Sequence, residues 1–242
     1  MRLPRQDHHE VARDAALLRL RQRADGERLR LMGVRHAEGD TGMMLPVLCW
    51  ELRIQLDPFS MSLLPGGEEV ALPWQILALD YLCAEKPVPP TGFVSFADFA
   101  EGRSYLPAFR SRVTDRLSHT VGRDRTAFIR AAERLGAEPV GSDPVRCIFR
   151  FFPLLDFQVA HYEADAEFPA SCDVLYSDNA LAIFTLEDGI VAAERLVAAL
   201  EGKGPAVRAA RRPPPSERES QAAPTAAARR AHPRSGTAPE AH

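Results

Sequence analysis

The chain has 242 residues and a formal net charge of −3, with 45% hydrophobic and 26% charged residues. That balance excludes a wholly disordered chain, and its longest apolar run, Met43 to Trp50, falls far short of the roughly 20 residues of a membrane helix. A body of this size buries enough surface to fold without disulfides or metal.

The start, Met1 to His9, has no apolar signal-peptide core, so the protein is expected to stay inside the cell. Cys49, Cys83, Cys147 and Cys172 form no C-x-x-C pair and read as four free thiols of a reducing, cytoplasmic compartment. His8 to Ala24 carries Val11, Ala15 and Leu18 at helical spacing among arginines, which predicts an amphipathic helix ending near Gly26. Arg28–Val34, Met43–Val47, Cys49–Leu56 and Met61–Leu64 read as short strands of an antiparallel meander, with Asp57 to Ser60 as a hairpin turn.

Pro73 suits the first turn of a helix over Trp74–Ala84, whose apolar composition predicts burial. After a breaker over Pro87–Gly92 comes a helical pair. Tyr105, Phe109, Val113 and Leu117 repeat every four residues on one member; Phe128, Ala131, Ala132 and Leu135 line the other, with Gly122 between them and Gly136 closing the second. Val145–Phe152, Asp156–Glu163 and Cys172–Ser177 are rich in β-branched and aromatic residues and read as strands. A last helix spans Glu187–Leu200, capped by Thr185 with Asp188 three residues on.

The order of elements indicates α+β: one domain over residues 1–201 with antiparallel strands and about five helices. Residues 202–242 follow as an Ala/Pro/Arg-rich tail expected to be disordered. The tail holds eight cations against three acids, +5, which leaves the body at −8. Such a tail could take an acidic partner protein; nucleic acid is disfavoured because the tail has no aromatic residue for base stacking.

Within the body, eight arginines lie between Arg103 and Arg134 against three acids, while Asp156 to Asp188 holds eight acids and no Lys or Arg. Either the two regions face each other or are each simply solvated, or each collects a ligand of opposite charge. Arg103, Ser104 and Tyr105 precede a helix, where free N–H groups and guanidinium forks suit an anion, so Arg103, Tyr105 and Arg110 form the candidate ligand-binding set. Asp165 and Glu167 sit in a turn and form the candidate metal site, for a hard cation such as Mg or Ca. His8 and His9 are adjacent rather than four apart, and His119 and His161 have no nucleophile beside them; there is also no phosphate loop, nucleophile elbow or internal repeat.

The stretch from about Leu45 to Leu200 resembles a bacterial and archaeal domain-of-unknown-function family, number 3786 in its series and frequent in anaerobes. The matching pieces include Gly92-Phe93-Val94-Ser95-Phe96, Ser104-Tyr105-Leu106-Pro107-Ala108-Phe109, Ala131-Ala132-Glu133-Arg134-Leu135-Gly136, Asp165-Ala166-Glu167-Phe168-Pro169 and Leu186-Glu187-Asp188. The resemblance implies a place near anaerobic cofactor metabolism, since some relatives are joined to a four-cysteine iron-sulfur module of the kind found in corrinoid proteins. This chain lacks that module, and Ala166 stands where the family commonly has a further acid. Three readings follow. One is a ligand-binding or accessory protein for an anionic small molecule such as a corrinoid. The second is an enzyme with a metal or general-base site in residues 156–188, built on Asp165, Glu167 and Asp188 or His161. The third is an interaction module that uses the basic tail.

Overall fold

The computed structural model describes residues 4–36 and 41–207, with side chains from His8 onward. It opens with helices α1 (Pro4–Arg23) and α2 (Gly26–Leu31). The strand expected over Arg28–Val34 is thus a helical turn. Its alternation of Arg and Leu imitates a strand, but Asp25 caps the turn by accepting from Glu27 N–H, and the Arg28 guanidinium donates to the Leu82 and Ala84 carbonyls. Helix α1 is also turned from its expected facing. Val11, Ala15 and Leu18 are exposed, and the buried stripe is Ala16, Leu17 and Leu20. The chain offers two apolar stripes, and the ion pairs Arg19–Asp80 at 2.6 Å and Arg23–Glu85 at 3.3 Å accompany the one that faces inward.

Strands β1 (Arg35–His36), β2 (Met43–Val47), β3 (Trp50–Leu56) and β4 (Phe59–Leu64) form the antiparallel meander in chain order. Met43, Leu45 and Val47 of β2 turn into the core, as alternation requires. Val47 pairs with Trp50, so Leu48 and Cys49 make a two-residue turn, with Leu48 in the left-handed region at φ 50°. Leu56 pairs with Phe59, which shortens the expected Asp57–Ser60 turn to Asp57 and Pro58.

Helix α3 (Leu72–Cys83) buries Trp74, Leu77, Ala78, Leu79, Tyr81 and Leu82. A second antiparallel sheet has the order β5-β9-β8-β7-β6, from β5 (Phe93–Ser95), β6 (Glu138–Ser142), β7 (Val145–Phe152), β8 (Leu155–Tyr162) and β9 (Ser171–Ser177). Neither β5 nor β6 is foreseen from sequence: one has three residues, and the other is exposed throughout and carries Pro139, tolerable at a sheet edge. A register shift between Arg150 and Phe152 lets Phe151 and Phe152 both turn inward. Phe151 stacks on Trp74 at 5.3 Å and Phe152 on Tyr81 at 4.6 Å, so α3 seals one face of this sheet. The Leu48 N–H donates to the Phe151 carbonyl and ties the two sheets together.

The remaining helices are α4 (Gly102–Phe109), α5 (Asp115–His119), α6 (Arg125–Arg134), α7 (Ala180–Ile183) and α8 (Leu186–Leu200). All five expected helical segments are present, and the fold is α+β with antiparallel sheets. Thr185 caps α8 by accepting from Asp188 N–H. Beyond α8, Ala71 N–H donates to the Pro205 carbonyl and Val207 N–H to Glu69, so the described chain follows the body past the boundary expected at Glu201. The tail from residue 208 lies outside the described residues. Among those described, no helix is long and apolar enough to cross a membrane.

Candidate functional site

Between α4 and α5 the chain makes a π-helical turn over Arg110–Thr114. Pro107 inside α4 supplies no N–H to the helical ladder, and Arg110 N–H reaches both the Leu106 and Pro107 carbonyls. A four-residue repeat drifts around an ordinary helix, and the wider turn absorbs that drift. Phe109, Val113 and Leu117 are consequently all buried, while Tyr105, the first member of the repeat, is exposed.

The turn carries Arg112 across to α8. Its Nε and Nη2 donate to the two oxygens of Glu194 at 2.8 and 3.0 Å, and Nη1 donates to Glu187 at 3.0 Å. One turn on, Arg116 forks in the same way onto Glu201 at 2.8 and 2.6 Å. Arg125 pairs with Glu163 at 2.9 Å, and Arg134 donates to the Leu200 carbonyl. The basic and acidic regions of the sequence thus meet at two pairs among the described residues, Arg112 with Glu187 and Arg125 with Glu163, while Arg112 and Arg116 also reach Glu194 in α8 and Glu201 at its C-terminal cap.

Beside this array is a cleft of about 320 Å³ between α1, α3, α8 and the π-helical turn. Ile76, Leu77 and Val191 supply aliphatic wall; Arg112, Arg195, Glu187, Asp188 and Glu194 supply charge, and His9 stands at its α1 side. Arg195 differs from its neighbours. Its Nε is buried with no hydrogen-bond partner, and its guanidinium forms no ion pair among the described residues. Burial pushes its pKa down, with Arg116 and Arg112 adding repulsion that nearby Glu194 opposes. Arg112 is instead held firmly protonated by its hydrogen bonds to Glu194.

Next along α3, Asp80 has its carboxyl raised to about 6, first by burial and then by the charge of Asp188, against the pull of Arg19. Its pKa in the folded chain is thus above its unfolded value, so the folded state binds the extra proton between about pH 4 and pH 6 and this contribution to stability falls as pH rises through that window. Asp80→Asn is expected to gain on the wild type by on the order of 1 kcal/mol between about pH 4 and pH 7.5. Urea unfolding at both pH values checks this, and an equal difference at the two would refute it.

The residues proposed from sequence lie elsewhere. Arg103, Tyr105 and Arg110 are all exposed. Arg110 borders a smaller cleft of about 260 Å³ with Ser95, Thr114 and Asp173, which Arg103 and Tyr105 do not line. Helix α4 begins at Gly102, so Arg103 to Tyr105 form its first turn rather than precede it. Asp165 is exposed and accepts from Glu167 N–H at 2.8 Å and Phe168 N–H at 2.7 Å; those bonds to its own turn draw its pKa down. Glu167 is exposed in the same turn. Among the described residues no three His, Cys, Asp or Glu side chains gather as a metal site. Asp188 belongs to the α8 cap, and His161 is buried against Phe128 with Nε2 on the Gly122 carbonyl at 3.0 Å. His119 Nδ1 meets its own helix at the Asp115 carbonyl.

Sequence reasoning missed Glu194 and Arg195. Their signal is a charged pair interrupting the apolar run from Ile190 to Leu200, with Ala192, Ala193, Leu196 and Val197 buried around it.

The family described as Domain of unknown function (DUF3786) matches residues 27–199, a span that takes in α2 to nearly the end of α8 and leaves α1 outside. No curated protein and no solved structure matches the chain.

Proposed function

The chain belongs to the DUF3786 family, and since that description assigns no activity, we propose from the cleft itself that the protein binds a small organic ligand through an anionic group held by Arg195. The observation that carries this is the Arg195 guanidinium, without an ion-pair partner among the described residues, in the wall of a cleft whose other arginine, Arg112, is fully engaged. A half-buried cation without a partner is costly, and a carboxylate or phosphate matches the guanidinium fork. The volume, about 320 Å³, is at the small end for ligand sites, suited to a molecule of amino-acid dimensions. A corrinoid macrocycle would stand mostly outside it. The reading retains the anionic ligand expected from sequence but moves its contact from Arg103, Tyr105 and Arg110 to α8. Binding is favoured over catalysis because Arg112 already engages Glu194 and Glu187. We place the protein in the cytoplasm, where an exposed thiol such as Cys49 stays reduced.

Calorimetric titration with small carboxylates and inorganic phosphate tests this reading. Arg195→Met is expected to fold normally by circular dichroism, because it removes a desolvated charge, and to bind at least about tenfold more weakly. Equal binding by Arg195→Met, or no binding of any anion by the wild type, refutes it.

A further inference from the structure

Resting on that reading, we infer that the ligand is an aliphatic α-amino acid, its carboxylate on Arg195 and its ammonium group toward Glu187 and Asp188. The lining of the cleft holds two cations, Arg112 and Arg195, against three carboxylates, Glu187, Asp188 and Glu194. Arg112 and Glu194 close on each other through two parallel bonds and neutralise one another. What remains in the lining is one guanidinium and two carboxylates, each carboxylate only partly used. One Glu187 oxygen takes Arg112 Nη1 and one Asp188 oxygen takes the Thr185 hydroxyl at 2.6 Å, while the second oxygen of each accepts nothing among the described residues.

A simple anion entering this cleft would deepen its negative charge. A zwitterion leaves the total unchanged and gives a counter-charge to each end. Asp188 adds its negative charge to the burial that raises the neighbouring Asp80 carboxyl, and a negative charge at that place suits an ammonium group. Beside the charged groups, Pro73, Ile76, Leu77 and Val191 line the cleft with hydrocarbon, so the side chain of the ligand is aliphatic.

The test uses the full chain and four probes of one shape: leucine, isocaproate (no amine), isoamylamine (no carboxylate) and N-acetylleucine (no ammonium charge). Leucine is expected to bind, and the other three at least about tenfold more weakly. Glu187→Gln combined with Asp188→Asn should bring leucine down to the level of isocaproate; Glu187→Gln alone, which leaves the α8 cap untouched, should move it part of the way. If isocaproate binds as tightly as leucine, the amino-acid inference fails and the anion reading stands. The same holds if phosphate binds through Arg195 while leucine does not bind at millimolar concentration. If none of these anions binds, or leucine is selected but indifferent to Arg195→Met and to the acidic variants, both fall.

Discussion

Trp74→Ala is expected to lower the stability of the protein by about 3–5 kcal/mol, the range for truncating a large buried aromatic. Trp74 is 2% exposed and joins segments remote in sequence. Its ring stacks on Phe151 of β7 with planes 12° apart and meets Trp50 of β3 edge-on at 6.5 Å. Trp50 in turn packs on Gly204, where an added Cβ would stand 3.1 Å from the indole. One residue of α3 thus holds the meander, the second sheet and the segment after α8 against one another. The cavity left by alanine could not close without moving all three. Thermal unfolding should fall by roughly 6–20 °C at this chain length. A loss under about 1 kcal/mol would show that the two sheets are held together by something else.

Arg112→Met is expected to cost about 2–3 kcal/mol, because it takes from Glu194 and Glu187 the guanidinium that bonds both. The Arg112 side chain is 34% exposed and Glu194 17%, so solvent screens part of the interaction and the upper range for fully buried pairs does not apply. A double-mutant cycle with Glu194→Gln should show a coupling of about 1–2 kcal/mol. Arg112→Lys should recover little of the loss, since one ammonium group cannot make the two parallel bonds to Glu194 and still reach Glu187. Additive single variants would mean that the fork only decorates the surface. The π-helical turn would then be explained by the burial of Phe109, Val113 and Leu117 alone.

Much of the fold is legible along the chain because local signals and burial agree there. Met43–Val47 alternates, and its alternate residues are buried; Thr185 and Asp188 look like a cap and form one. The disagreements arise where two local readings are equally good. In α1 the stripes Val11/Ala15/Leu18 and Ala16/Leu17/Leu20 are both apolar at helical spacing, and contact with α3 selects the second. At Arg28–Leu31 the alternation suits a strand, but Arg28 is needed at the end of α3, where it satisfies the Leu82 and Ala84 carbonyls. The four-residue repeat at Tyr105 drops its first member because Pro107 and the turn that follows reset the helix face.

The site divides in the same way. Opposite charge in the two halves of the body is a property of composition, and the sequence by itself determines that arginines of residues 103–134 have acids of residues 156–188 available to them. Which arginine is buried without a partner is decided only in the folded chain. Arg112 and Arg116 reach Glu194 and Glu201 across more than 80 positions of sequence, and Arg195, beside Glu194 on the same helix, has no ion-pair partner among the described residues. Helical period, β-propensity and capping act over a few neighbouring residues and can be read from the chain alone. Ion pairing and burial depend on which distant residues the sheets and helices bring within a few ångströms, so the candidate cleft and its free guanidinium come from tertiary structure.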